Sequence, residues 1–178
     1  MYDSKEDTLK HVIQVRKFAG ILQNALFERA LKHDKSKTEE PEKSVFDEFT
    51  PKLAESTYGS DEYKEYLKEM KVALDHHYAE NRHHPEHFKK HVCNGCFKEY
   101  REMPDHCDIC HYSQFQEESD MSQMTLIDLC EMIADWKAAT LRHNNGDMIK
   151  SLEINQKRFK YGDELKQILH NTVKEYFD

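Results

Sequence analysis

Cys93-x2-Cys96 and Cys107-x2-Cys110, with ten residues between the two pairs, constrain this chain more than any other feature. Each CxxC offers two thiolates from one tight turn, and two such turns can complete a tetrahedron around Zn²⁺. Gly95 suits the backbone demands of the first turn. Four thiolates leave no open coordination position, so the expected Zn is structural. Disulfides would need an oxidising compartment. The N-terminus, beginning Met1-Tyr2-Asp3-Ser4-Lys5, lacks the basic-then-apolar order of an export signal. Cytoplasmic, reduced thiols are therefore expected. The fifth cysteine, Cys130, falls in an apolar segment and reads as a buried core residue.

The rest of the chain reads as helix. At 178 residues it is long enough for one domain with its own core. Gly (5) and Pro (4) are too scarce for an all-β chain full of tight turns. No apolar run approaches the length of a membrane span. Residues 7–33 place Val12, Val15, Phe18, Ala19, Leu22, Ala25 and Leu26 on one arc, with His11 inside it. Asp7 or Thr8 is the expected N-cap of that helix. Ser36, Pro41, Pro51 and Gly59 punctuate the next stretch into short pieces. Ser60 then starts a strong helix that ends before Asn81, ahead of Pro85. Residues 122–143 are apolar almost all round, with a stop at Asn144-Asn145-Gly146. Met148 to Phe159 and Asp163 to Phe177 read as two further helices.

Histidine is abundant, with 12 residues, six of them between His76 and His91. It is the commonest metal ligand. His33-Asp34, adjacent at a helix end, could both reach one ion if the backbone turns there. On one straight helix His11 and His33 would lie about 33 Å apart, so sharing an ion demands a hinge between them, at Gly20 or Gln23-Asn24. His77 sits in the middle of an apolar arc. His76 is about 100° from it, and His83 and His84 follow the helix end. Asp128, Glu131, Asp135 and Arg142 share an arc of an otherwise apolar helix, where carboxylates need a metal or cationic partners.

The order His11, His33-Asp34, His76-His77 and Asp135 resembles the HD superfamily of helical metal-dependent phosphohydrolases. Ile133-Ala134-Asp135-Trp136 matches the context of that family's final aspartate. His33-Asp34-Lys35-Ser36-Lys37 resembles its His-Asp-x-Gly-Lys form, with Ser36 in place of glycine. His76-His77 is similar to the extra histidines of two-metal members, without the Gly-Tyr-Pro signature of the cyclic-dinucleotide phosphodiesterases. More closely, His33 to Lys37, His76 to Phe88 and Glu131 to Ala139 resemble a family of small proteins of uncharacterised activity from phages and bacteria. A phage origin would place the protein in a host cytoplasm.

The resemblance implies an all-α, HD-like helical bundle spanning 1–178 as a single domain, with a zinc-knuckle insert at 89–115. It implies a first metal held by His11, His33, Asp34 and Asp135. His77, with His76, His83 or His84, would complete that site or hold a second ion. The metal would be Mn, Fe, Co, Ni or Mg, activating a water for attack on phosphorus. Lys37, with Arg82 or Arg142, would clamp phosphate oxygens, and Asp128 and Glu131 would orient ligands or the water. The implied substrate is a nucleotide or related small phosphoester. The alternative is a non-catalytic binding module whose zinc ribbon docks a protein or nucleic acid. The net charge of −8, and the mixed signs of Lys98, Arg101, Glu99, Glu102 and Asp105 in the ribbon loop, disfavour strong duplex binding. A homo-oligomer is compatible with a helical domain of this size.

Overall fold

The computed structural model describes residues 2–57, 59–142 and 146–177. Seven α-helices and a three-stranded sheet make up its regular structure. The described chain forms two compact units, Met1–His33 and Asp34–Asp178.

The first unit is essentially one helix, α1 (Lys5–Lys32), of 28 residues. It starts after Ser4, ahead of the anticipated Asp7 or Thr8 cap. It runs unbroken through Gly20 and Gln23-Asn24, so the hinge that a shared metal required is not there. None of its residues is buried, and Val12, Val15, Phe18 and Leu22 are exposed instead of facing a core. A helix that forms a unit by itself has nothing within that unit against which to bury an apolar arc.

The second unit opens with a 3₁₀ turn (Lys35–Thr38) and α2 (Lys43–Glu55), which continues through Pro51 instead of stopping there. The helix expected from Ser60 forms as two, α3 (Asp61–Glu69) and α4 (Lys71–Glu80), separated at Met70. Ser60 caps α3 by accepting the Tyr63 N–H, as its position suggested. Met70, which ends α3 and precedes α4, is almost fully buried at the junction.

After a 3₁₀ turn at Pro85–His87 come β1 (Lys89–Cys93), β2 (Glu99–Tyr100) and β3 (Phe115–Ser119). They pair antiparallel in the order β2-β1-β3, with Cys93 opposite Phe115. The cysteine segment is therefore a small ribbon on an otherwise helical unit. Its root is closed where Asp120 N–H donates to the Phe88 carbonyl (2.7 Å).

α5 (Leu126–Thr140), α6 (Met148–Phe159) and α7 (Asp163–Tyr176) build the main core. Met132, Ile133, Met148, Leu152, Phe159, Tyr161, Leu169 and Val173 pack together there. Trp136 stacks on Phe159, and the Tyr161 hydroxyl donates to the Leu152 carbonyl (2.7 Å). Asp147 caps α6 through the Ile149 and Lys150 N–H groups. Asn144 and Asn145 of the anticipated stop lie outside the described residues. Cys130 is exposed on α5, not buried, since the core-facing positions there are Met132 and Ile133. No helix among the described residues is long and apolar enough to cross a membrane.

Candidate metal centre

Two clusters of ligand-type side chains stand out in the second unit. In the ribbon, Cys93, Cys96, Cys107 and Cys110 present their sulfurs within 4.8 Å of one another. Cys93 and Cys110 Sγ are 3.5 Å apart, and Cys96 and Cys107 Sγ 3.4 Å. Thiolates 2.3 Å from a tetrahedral Zn²⁺ lie about 3.8 Å from each other, so the four could close on one ion with a small outward shift. Both knuckles are built alike. The Phe97 N–H donates to Cys93 O, and the His111 N–H to Cys107 O. Phe97 and His111 each take a left-handed backbone, with φ of 61° and 59°. Space at Gly95 is tight: a Cβ there would sit 3.0 Å from Cys110 Sγ and 3.2 Å from Tyr112 Cβ. Burial works against ionising Cys107, but the Tyr100 hydroxyl and the Ile109 and Cys110 amides donate to its sulfur, and it falls to about 5.

The second cluster is Asp34, His77, His83 and His84, whose ligand atoms also lie within 4.8 Å of one another. Asp34 follows the end of α1 in a left-handed conformation (φ 55°), which begins the 3₁₀ turn. His77 lies on the buried face of α4, as its periodicity indicated. His83 and His84 come from the loop after α4, which folds back so that His83 is almost fully buried. His77 Nε2 is 3.3 Å from Asp34 Oδ1 and 2.9 Å from His84 Nε2, and His83 Nε2 is 3.4 Å from the same Asp34 oxygen. Donors about 2.1 Å from one ion are separated by about 3.0 Å at a right angle and about 3.4 Å at a tetrahedral angle. The observed spacings fall in that range, so the donor set fits a cation.

The opposite edges of these rings are held. A carboxylate only accepts hydrogen bonds. The proton between His77 Nδ1 and Glu42 Oε2 (2.8 Å) therefore sits on the ring, and Nε2 is the nitrogen turned to Asp34. Glu42 has no exposed surface, and it also meets His76 Nδ1 (2.7 Å) and accepts from Ser36 Oγ (3.0 Å). His83 Nδ1 faces Glu131 Oε1 at 3.3 Å. Carboxylates behind ligand imidazoles fix the tautomer and raise ligand basicity. Burial, and then the charges of His83 and His77, depress His84 to about 2, so it is a neutral ring. Burial works to raise Asp34, but its close contacts with His77 and His83, with the charge and hydrogen bond of Lys37, hold it well below the usual carboxylate range.

The other anticipated residues are distributed differently. His11 is exposed in the middle of α1, and with that helix unbroken it lies about 33 Å along it from His33. These two residues cannot share an ion within one chain. His33 is the C-cap of α1. Asp135, half-buried on α5, places a carboxylate oxygen within 4.8 Å of a His83 ring nitrogen. His76 supports Glu42 and is not in the cluster of four. Lys37 donates to Asp34 Oδ2 (2.6 Å). Asp128 closes a capping box with Thr125 and pairs with Arg82. Arg142 is exposed beyond the end of α5, where the helix has already terminated. Glu42, Ser36 and Asn81, whose amide donates to Ser36 Oγ (2.8 Å) and to the His77 carbonyl (2.9 Å), are the supporting residues that sequence reasoning missed.

No curated protein and no solved structure matches this chain. A family model described as "Family of unknown function (DUF5662)" matches residues 1–177, almost the full length. The chain belongs to the DUF5662 family.

Proposed function

We propose that the chain is a metal-dependent phosphohydrolase acting on a nucleotide or related phosphoester. One observation carries the reading: Asp34 and three histidines converge with donor spacings of 2.9–3.4 Å, while Glu42 and Glu131 hold the far edges of two of the rings. Three imidazoles and one carboxylate favour Mn, Fe, Co or Ni over Mg. When bound, such an ion would supply Lewis acidity toward a phosphoryl oxygen and a water acidified toward neutral pH. The chain's own part is to orient and desolvate. Glu42 keeps the Nδ1 proton of His77 in place, so that the Nε2 lone pair faces the cluster. Lys37 steadies Asp34 and brings a cation to within 2.6 Å of it. The resemblance to HD phosphohydrolases supplies the reaction class, and His33 enters the proposal through that resemblance alone.

The test is a panel of nucleotides with Mn²⁺, Co²⁺ and Mg²⁺, comparing wild type with Asp34→Ala, His84→Ala and the His33→Ala/Asp34→Ala pair. Phosphate release by wild type that each variant abolishes is the expected result. Release that survives Asp34→Ala removes this site, and no release from any substrate overturns the reading.

One observation favours a second reading, a docking role for the ribbon. Phe97 and Ile109, in or beside the two knuckles, are 76% and 64% exposed. Exposed apolar side chains of this kind suit a protein surface better than nucleic acid.

A further inference from the structure

The Arg82 side chain is half exposed, yet it is held on two sides. Its Nε and one Nη approach Asp128 Oδ1 and Oδ2 at 3.3 and 3.1 Å. Its guanidinium carbon lies 4.8 Å from the centroid of the buried Phe88 ring. Asp128 is fully buried and fixed in turn by the backbone N–H (2.7 Å) and hydroxyl (2.8 Å) of Thr125. An arginine whose position served only to neutralise Asp128 would need no aromatic floor and no exposure. A guanidinium has five N–H groups, and a side-on pair with one carboxylate uses two of them. The three that remain include the end-on fork, whose geometry matches two oxygens of a phosphate.

The position of that fork follows from α5. Asp128 holds Arg82, and Glu131 holds His83. The two carboxylates are three residues apart on one helix face, about 4.5 Å along the axis. Arg82 and His83 are also consecutive in the chain. The same helix therefore sets the carboxylate behind Arg82 and the carboxylate behind His83 about one turn apart. Arg142, the other arginine considered from sequence, is exposed past the end of the helix.

We propose that the Asp128-held, Phe88-backed guanidinium of Arg82 is a phosphate-binding site beside the histidine–aspartate cluster, taking a phosphoryl group of the substrate other than the one at the cluster. The site rests on the phosphohydrolase reading for its place in a reaction, but binding at Arg82 can be measured separately. It selects substrates with two linked phosphoryl groups over monoesters.

The probe is inorganic pyrophosphate, titrated calorimetrically into the full chain with no divalent ion added. Wild type is expected to bind it. Arg82→Gln is expected to weaken binding at least tenfold. Arg82→Lys keeps a charge for Asp128 but loses the fork, and is expected to fall between them. His84→Ala is expected to lose Mn²⁺ uptake yet keep pyrophosphate affinity within twofold. Circular dichroism and thermal melts identify variants that are folded. If Arg82→Gln does not fold, Arg82→Lys decides. A folded Arg82 variant that binds like wild type overturns the proposal, as does a wild type that binds no pyrophosphate. Loss of hydrolysis or of Mn²⁺ uptake alone would overturn the reading of the cluster and leave the anion site standing.

Discussion

Glu42 is a carboxylate without exposed surface that meets two imidazoles and a hydroxyl. Replacing it by glutamine substitutes an amide N–H₂ for one acceptor oxygen, and that amide would face either His76 Nδ1 or the pair of His77 Nδ1–H and Ser36 Oγ. Glu42→Gln is expected to cost about 10–100-fold in Mn²⁺ affinity while the chain stays folded. Metal titration followed by electron paramagnetic resonance checks this, and unchanged affinity would remove Glu42 from the centre. Asp34 and His77 were legible in the sequence, Asp34 from its adjacent histidine and His77 from helical periodicity. Glu42 was not, because an acidic residue beside Pro41 at a helix start is what the helix dipole favours in any case. His83 and His84 were candidates from their place after the helix end, but a loop has no periodicity to say which ring turns inward.

Among the elements, α5 works as a ruler that spaces Arg82 from His83, and its register depends on its first turn. Thr125→Ala removes the capping box and is expected to cost about 1 kcal/mol of stability, read in urea denaturation. The ribbon depends on its four sulfurs. Cys93→Ser is expected to take zinc from one ion per chain to none by elemental analysis, with Mn²⁺ uptake at the Asp34 cluster retained. Wild type without zinc would reject the ribbon's metal. The boundaries of α6 and α7 were readable because Asp147 and Gly162 punctuate them. The break at Met70 was not, because one buried methionine interrupts an otherwise continuous helical pattern. Apolar spacing in α1 was equally clear, but spacing shows which face is apolar and says nothing of what lies against it.

For the whole molecule, the main core is assembled from the three C-terminal helices, whereas Asp34 and the three histidines of the cluster all precede the ribbon. Leu152, 1% exposed between them, is the position where truncation should be felt throughout the second unit. Leu152→Ala is expected to lower the unfolding free energy by about 2–5 kcal/mol in chemical denaturation. The ribbon lies between the two halves of this arrangement. His83 meets Glu131, 48 residues later in the chain. Once the ribbon root is closed between Phe88 and Asp120, the effective loop between those partners shrinks to roughly 16 residues. Closing the shorter loop costs about 1 kcal/mol less in chain entropy. The cysteine ribbon is thus a shortcut in the search the unfolded chain must make, and metal loading at its four sulfurs would show first as faster refolding.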